Sequence, residues 1–306
     1  MVQVFCNIRK EDKMENTIIK APCVNLNKLD SIFIEMTAHN CNLNCPHCYI
    51  DFGNKKVKDF IPLDKVKQAL ASLNRKELKY IHLTGAEPML HPDFNHILRH
   101  CLKYSSVVIH TNAYSINDKK ARFLRKVEEE NSLGNEIVFM LSLDSYIEKE
   151  NDLKRGRGSF RKVVCAIQSL VKYEFNPIIS IVNHNNLPEK ELKAGFKELC
   201  NSIGFETTDL NFKIIPLLEK NKDLKLSESI DFDKIKTECS RSRTLTVNGV
   251  FFCPLLASDN RGMCGTDFKD YSTKCYLETL YCTQCVDFNR YLFSFEITDC
   301  NKMLTK

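Results

Sequence analysis

The sequence predicts an α/β fold: an open, partial (β/α)6 barrel of the TIM type, followed by a small cysteine-rich C-terminal domain containing a β-hairpin. Short apolar runs alternate with longer segments of helical period between residues 31 and 217. This alternation yields six strands, fewer than the eight that close a barrel. The alternation then stops, and cysteines become frequent in the last quarter of the chain.

The predicted strands are short apolar runs of strand length, and they span 31–36, 79–85, 105–112, 136–144, 176–183 and 209–217. The segments between them are of helical length and most repeat apolar residues at helical spacing, and they span 62–73, 91–102, 117–131, 159–173 and 187–203. Parallel strands need a long crossover between them, usually a helix. The strict alternation therefore predicts a parallel sheet.

We expect three regions: an N-terminal extension (1–28), the barrel domain (29–218), and a linker with the cysteine-rich domain (219–306). The linker is expected in the polar, charged run 219–234. In the last region, Asn248 and Gly249 predict the tight turn of the hairpin. A bound metal centre would explain how roughly 70 residues with few regular elements hold together.

The composition is that of a soluble globular protein, with 43% hydrophobic and 27% charged residues. The net charge of +5 is scattered along the chain and does not indicate nucleic-acid binding. The N-terminus resembles no signal peptide, and no apolar run approaches the ~18 residues of a membrane helix. We therefore expect a cytoplasmic protein without membrane attachment, in which 15 cysteines indicate metal binding rather than disulfides.

The first cysteine group, Cys41, Cys45 and Cys48, directly follows the first predicted strand. Barrel enzymes place their chemistry on such loops, at the carboxyl ends of strands. Three thiolates can hold three corners of a four-iron cluster and leave one iron open to another ligand. Zinc is the alternative, with His39 or His47 as a fourth ligand, but the partner motif usual for zinc is missing.

This pattern, CxxxCxxC followed by the aromatic Tyr49, resembles the signature of the radical S-adenosylmethionine (SAM) enzymes. The segment TGAEPMLHPDF (84–94) is similar to the GGEP motif of that family, with Gly85, Glu87 and Pro88 matching and Ala86 replacing the second glycine. The resemblance implies that the backbone and the glutamate of this segment bind the amino group of SAM.

Three later segments continue the resemblance. The segment IHTNAY (109–114) is similar to the TNG segment of the family, with Thr111 and Asn112 matching. The segment SLDS (142–145) resembles the fourth-strand motif, where Ser142 and Asp144 would face the SAM ribose or carboxylate. Arg155, in RGRGSF (155–160), belongs to an arginine–glycine stretch common in the family, and a solvated surface arginine is its alternative reading.

The resemblance implies a specific chemistry. The amino and carboxylate groups of SAM would chelate the open iron of a four-iron cluster. The reduced cluster would then cleave SAM to a 5′-deoxyadenosyl radical, which abstracts a hydrogen atom from a peptide or small-molecule substrate. A flavodoxin- or ferredoxin-type protein would supply the electron.

The second cysteine group lies around the predicted hairpin and in the motif CTQC, and our predicted ligands are Cys239, Cys253, Cys282 and Cys285. Four thiolates make a closed site for a four-iron cluster or a structural zinc. The arrangement resembles the short, one-cluster "twitch" form of radical SAM auxiliary domains, because the second array of the longer SPASM form is missing. Cys264 and Cys275 are rival ligands.

Two other functions stay open from the sequence. A free cysteine near the active site, with Cys264 as the candidate, could donate a hydrogen atom to a product radical, as in a radical SAM peptide epimerase. A non-catalytic iron–sulfur sensor is the alternative from a different class. Such a sensor would not form 5′-deoxyadenosine.

Overall fold

The computed structural model describes residues 22–50, 60–218 and 235–294. Most of the predicted N-terminal extension (1–28) and the whole of the predicted linker run 219–234 lie outside the described residues. Among the residues that are described, no helix has the length and apolar character needed to cross a membrane.

Six strands form the parallel sheet predicted from the sequence, and each one pairs with the next along the chain. They are β2 (Ser31–Glu35), β3 (Tyr80–Thr84), β4 (Ser106–Thr111), β5 (Ile137–Ser142), β6 (Ile178–Asn183) and β7 (Phe212–Pro216). A short strand, β1 (Cys23–Asn25), precedes them. The predicted partial (β/α)6 barrel is therefore confirmed.

The crossovers are helical, as predicted, and the helices are α1 (Leu63–Ala71), α2 (Phe94–Cys101), α3 (Asp118–Glu129), α4 (Glu148–Arg155), α5 (Ser159–Lys172) and α6 (Glu189–Ser202). Helix α4 was not predicted. Its sequence EKENDLKR offers no apolar stripe, and its one buried residue is Asn151. Asn151 Oδ1 accepts a hydrogen bond from the backbone N–H of Asp144, so a polar contact holds this helix against the sheet.

The apolar core lies between the sheet and the helices, because alternate strand residues point outward. In β2, Ile32 and Ile34 belong to this core. The opposite face of the sheet lines the barrel interior. A separate buried cluster of Tyr80, Val108 and Met140, with Ile178, comes from the first four residues of four strands. Apolar side chains therefore fill the amino-terminal end of the barrel, and the polar residues collect at the carboxyl ends of the strands.

The C-terminal part adds strands to the same sheet. Strand β8 (Ser242–Leu245) pairs in parallel with β2, and β9 (Val250–Phe251), β10 (Met263–Asp267) and β11 (Asp270–Tyr271) continue antiparallel. The predicted hairpin joins β8 to β9, where Gly249 has φ +153° and a Cβ would meet the Gly265 carbonyl at 2.7 Å. The pairing of β8 with β2 was not predicted, since it joins strands about 200 residues apart in sequence.

Two further elements complete the described tail: β12 (Lys274–Tyr276), which pairs with β1, and α7 (Leu280–Phe288). The chain after α7 links the two sides of the open barrel. Lys213 Nζ, on β7, donates to the carbonyls of Tyr291 and Ser294 at 2.5 and 2.9 Å. Glu238, just before β8, accepts from the backbone N–H groups of Phe293 and Ser294 at 2.6 and 2.9 Å.

Candidate cluster and cofactor site

An open cavity lies at the carboxyl ends of the parallel strands, with an empty volume of about 1050 Å³ that includes its mouth. Cys41, Cys45 and Cys48 line it from the loop after β2, and all three are half-buried. Eight of the nine predicted cofactor-binding residues also line it: Tyr49, Gly85, Glu87, Thr111, Asn112, Ser142, Asp144 and Arg155. The ninth, Pro88, is buried behind the cavity wall at the start of a short 3-10 turn.

The loop with the three cysteines is held by contacts from the end of β4 and from the last residue of α4. Asn112 Nδ2, after β4, donates to the Cys41 sulfur at 3.6 Å and to Asn42 Oδ1 at 2.9 Å. The Cys45 thiol donates to the Arg155 carbonyl at 3.7 Å. Burial raises the pKa of the Cys41 thiol to about 11 and also raises that of Cys45. Binding of a metal centre here would therefore displace protons from the thiols.

The segment after β3 needs a glycine at one position and not at the next. Gly85 has φ +106°, and a Cβ on it would lie 2.3 Å from the Thr37 carbonyl oxygen. Ala86, which replaces the second glycine of the family motif, does not have a positive φ, and its N–H donates to the same Thr37 oxygen at 2.8 Å. The alanine therefore fits the backbone and directs its methyl group towards the cavity that it lines.

The Glu87 carboxylate joins the ends of β3 and β4. Oε1 accepts from the Thr111 hydroxyl at 2.7 Å and from the Met89 N–H at 3.1 Å, and Oε2 accepts from the Asn112 N–H at 2.9 Å. Burial raises the pKa of Glu87, and these hydrogen bonds oppose that rise. Much of the acceptor capacity of Glu87 is thus used by the protein itself.

Asp144 is the centre of a charged cluster on the other side of the cavity. Its Oδ2 lies 3.1 Å from His47 Nε2, 3.3 Å from Arg155 Nη1 and 3.7 Å from His184 Nε2. Burial by itself would raise the pKa of Asp144, but Arg155 and the two imidazoles outweigh burial and hold it well below its usual range. Asp144 therefore remains ionised and contacts groups of the protein.

His184 was not predicted as a site residue from the sequence, and His47 was predicted only as an alternative zinc ligand. Their ligand atoms and that of Asp144 all lie within 4.8 Å of one another. Arg155 shares the same carboxylate oxygen, however, and a guanidinium there repels a cation, so we interpret the group as an ion-pair cluster. His184 directly follows β6, and its place at a strand end was the signal that could have identified it.

Within this cluster, three buried nitrogen atoms lack a hydrogen-bond partner in the described part of the chain: His47 Nδ1, Arg155 Nε and His184 Nε2, the last of which lies 3.7 Å from Asp144 Oδ2. His47 and Arg155 line the cavity, and His184 is not among its lining residues. Buried polar atoms normally have partners. Donors left unpaired beside a cavity fit a polar or anionic ligand group. The carboxylate of SAM is such a group, so the residues present fit the cofactor that the sequence implies.

His110, another residue that the sequence analysis missed, lines the cavity from the interior face of β4. Its Nε2 lies 2.9 Å from His82 Nδ1. Burial, together with the charge of Lys213, lowers the pKa of His110 to about 3, so the ring is neutral at pH 7. Strand periodicity could have identified His110, because it lies two positions before Asn112 on the same face.

The tail cysteines line a second cavity. Cys239, Cys253, Cys282 and Cys285 all contribute to its wall, and so does the rival Cys275. The other rival, Cys264, is not among these lining residues; its thiol donates to the Val250 carbonyl at 3.3 Å. Cys264 is also absent from the lining of the larger cavity, so its position does not support a role as hydrogen donor there.

The spacing of these thiols bears on the choice between a cluster and zinc. Zinc–sulfur bonds of about 2.3 Å in a tetrahedron hold the sulfur atoms about 3.8 Å apart. Among the described residues, no three cysteine sulfurs lie within 4.8 Å of one another. A four-iron cluster, with one thiolate on each iron, requires a wider spacing. The tail cysteines of the described chain therefore do not form a ready tetrahedral zinc site.

Comparison with known proteins agrees with this site. The family model described as "Radical SAM superfamily" matches residues 36–199. The subtilosin biosynthesis protein AlbA of Bacillus subtilis is 28% identical over 134 residues, which is 43% of this chain and 28% of that protein. The mycofactocin maturase MftC of Mycobacterium tuberculosis is 28% identical over 144 residues, or 46% of this chain and 35% of that protein. The chain thus spans about a third of the length of these relatives.

Solved structures share the fold. Streptococcus suis SuiB bound to S-adenosylmethionine has a TM-score of 0.56 and 16% identity, covering 76% of this chain and 62% of that one. Native anSMEcpe with bound AdoMet has a TM-score of 0.57 and 17% identity, covering 89% and 85%. At such identities the similarity concerns the fold. The family match covers more than half of the chain, which therefore belongs to the radical SAM superfamily, whose members bind a four-iron cluster and S-adenosylmethionine.

Proposed function

We propose that this protein reductively cleaves SAM and abstracts a hydrogen atom from a peptide substrate, with one auxiliary four-iron cluster in its C-terminal part. The observation that carries the proposal is the single cavity lined by the three loop cysteines and by eight of the predicted cofactor-binding residues. When bound, the cluster and SAM would supply a 5′-deoxyadenosyl radical.

Cys41, Cys45 and Cys48 would hold three irons and leave one open. Arg155 and His47 would receive the carboxylate of SAM, since each has an unpaired buried nitrogen beside the cavity. Glu87 and Asn112 would fix the loop geometry around the amino group. Tyr49, whose ring centroid lies 5.4 Å from that of Phe293, would help to exclude water from the side of the C-terminal segment.

A peptide substrate is supported by the relatives. AlbA is named for bacteriocin biosynthesis, and SuiB and anSMEcpe were both solved with peptides bound. For the auxiliary cluster we propose Cys239, Cys253, Cys282 and Cys285 as ligands, with Cys275 as the rival at the same cavity. This cluster would accept an electron from the substrate radical or contact the substrate. We propose a flavodoxin- or ferredoxin-type donor for the first cluster.

The experiment is anaerobic reconstitution of the wild type and of a variant with Cys41, Cys45 and Cys48 replaced by Ala, followed by addition of dithionite and SAM. We expect about eight irons per chain in the wild type and about four in the variant. Only the wild type should form 5′-deoxyadenosine. Iron binding without any 5′-deoxyadenosine would favour the sensor, and a wild type with about four irons would contradict the auxiliary cluster.

The substrate class needs a separate measurement. Wild-type enzyme is incubated with SAM, dithionite and either a deuterated peptide mixture or a deuterated extract of small metabolites. Deuterium transferred to 5′-deoxyadenosine from the peptides alone supports a peptide substrate. Transfer from the metabolites alone would show that the substrate is a small molecule.

A further inference from the structure

Two buried arginines, Arg241 and Arg243, lie two residues apart at the start of β8 but differ in their partners. Arg241 forms an ion pair with Asp30, with Nη2 2.8 Å from Oδ1. Arg243 is completely buried and is the largest of the fully buried side chains in the described chain. No carboxylate among the described residues pairs with Arg243.

Neutral groups surround the Arg243 guanidinium. Nη1 donates to the carbonyls of Cys239 and Ser242, each at 2.7 Å, and Nη2 donates to the Ser272 carbonyl at 3.1 Å. The guanidinium carbon also lies 5.3 Å from the centroid of the Phe252 ring. The Nε atom has no hydrogen-bond partner in the part of the chain that is described. These contacts solvate the charge without neutralising it.

A fully buried guanidinium without an opposite charge costs several kcal/mol, even after relaxation of its surroundings. An anion is therefore expected nearby. The neighbouring Cys264 does not supply it, because burial raises the pKa of that thiol to about 11, although Arg243 opposes the rise. The Tyr271 ring centroid lies 5.7 Å from the guanidinium carbon, but burial raises the pKa of that phenol, which stays neutral. The remaining ionisable neighbour of Arg243 is Cys239, whose own carbonyl accepts from Arg243.

Cys239 lines the second cavity together with the other predicted auxiliary ligands. A cluster bound by four thiolates is an anion in its oxidised form and gains one further negative charge when it accepts an electron. Such a centre would be the anion that Arg243 lacks.

We propose that Arg243 is the counter-charge of the auxiliary iron–sulfur centre and raises its reduction potential. This inference rests on the proposed function, because it requires a cluster in the tail. A fixed positive charge favours the more negative, reduced form, since the attraction in a low-dielectric interior is only weakly screened. Arg243 thereby makes the centre a better electron acceptor.

The test uses the full chain with Cys41, Cys45 and Cys48 replaced by Ala, so that only tail iron contributes to the signal. In this background we compare Arg243→Gln, which keeps amide donors without the charge, with Arg243→Lys, which keeps the charge. A double variant, Asp30→Asn with Arg241→Gln, is the matched control that removes a buried arginine together with its counter-ion. After anaerobic reconstitution, iron is counted and the midpoint potential is measured by EPR-monitored titration with dithionite.

We expect a midpoint potential shifted to more negative values in Arg243→Gln, with Arg243→Lys and the control close to the parent. Iron lost from Arg243→Gln but retained by Arg243→Lys would also support the inference, since an anion without its counter-charge binds less well. Equal potentials in all variants, or equal iron loss from the Gln and Lys variants, would overturn it while the auxiliary cluster stands. A parent without tail iron would instead refute the auxiliary cluster itself.

Discussion

The Thr111 hydroxyl donates a 2.7 Å hydrogen bond to the buried Glu87 carboxylate, so the end of β4 is fixed to the segment that follows β3. This contact aligns two of the strand ends that form the cofactor cavity. Thr111→Val should destabilise the fold by about 1.5–3 kcal/mol, because a hydrogen bond to a charged acceptor is lost at constant side-chain size. Urea unfolding measures this loss. Thr84→Val, at the end of β3, is the control, because it removes a hydrogen bond to the Tyr49 phenol and should cost only about 0.5–1.5 kcal/mol. Equal losses in both variants would contradict the role of the Glu87 contact.

Gly85 leads to a second prediction. A methyl group there would lie 2.3 Å from the Thr37 carbonyl oxygen, and the φ of +106° is strained for any L-residue. We expect Gly85→Ala to cost more than about 3 kcal/mol of unfolding free energy and to weaken SAM binding. Ala86→Gly, one residue later, should change stability by less than about 1 kcal/mol, because no positive φ is involved. If the two variants lose the same unfolding free energy, the close approach of residue 85 to the Thr37 carbonyl does not determine stability.

The local sequence pattern was sufficient to predict the barrel, because short apolar runs mark its strands and apolar repeats of helical period mark its helices. The cysteine loop and the Gly85–Glu87 segment were also readable, since their spacing is fixed within a few residues. The pairing of β8 with β2 was not readable, because it depends on a contact between distant segments. The cluster of Asp144, His47 and His184 was missed for the same reason: its members come from three separate strand ends.

Ala113 has a left-handed conformation, with φ 60°, in the place where the family motif has glycine. A Cβ in this region costs about 1–2 kcal/mol. Alanine recovers part of this cost relative to glycine, because it gives the unfolded chain a lower conformational entropy. Ala113→Gly also removes a fully buried methyl group worth about 0.8 kcal/mol, so its unfolding free energy should stay within about 1 kcal/mol of the wild type. Ala121→Gly, inside α3, is the matched control, because it removes an equally buried methyl group without relieving a left-handed conformation, and it should lower the unfolding free energy by about 2 kcal/mol. Thermal unfolding of the two variants checks this difference, and equal losses would mean that the left-handed conformation of Ala113 costs nothing.

Single Cys→Ser variants can distinguish the tail cysteines that bind iron from those that do not. The background is the chain with Cys41, Cys45 and Cys48 replaced by Ala, which lacks the first cluster. Cys264→Ser should retain the tail iron, because Cys264 is outside the cysteine-lined cavity. Cys282→Ser should lose most of it. Cys275→Ser decides between the proposed ligand set and its rival, and we expect it to retain iron when the set is Cys239, Cys253, Cys282 and Cys285. Iron loss from Cys264→Ser would contradict the assignment, and loss from Cys275→Ser would make Cys275 a ligand.

Asp144 yields a prediction about pH. Its pKa is held below the ordinary value of 3.8 in the folded state, so the folded protein binds fewer protons than the unfolded chain in this window. The stability contributed by Asp144 is complete above pH 3.8 and is lost as the pH falls towards the lower folded pKa. Asp144→Asn should therefore be less stable than the wild type at pH 7, by about 3 kcal/mol, because Arg155 keeps a buried charge without its partner.

The difference between the two proteins should shrink as the pH falls below 3.8, because the carboxyl group of the unfolded chain then takes up a proton while the folded Asp144 stays ionised. Urea unfolding at a series of pH values from neutral to acid measures the convergence. Asp209→Asn is the matched control, because that carboxylate pairs with Lys197 at the surface and should change stability by at most about 1 kcal/mol. A stability gap for Asp144→Asn that stays constant across the series would mean that the lost contribution is steric and does not come from the charge of the Asp144 carboxylate.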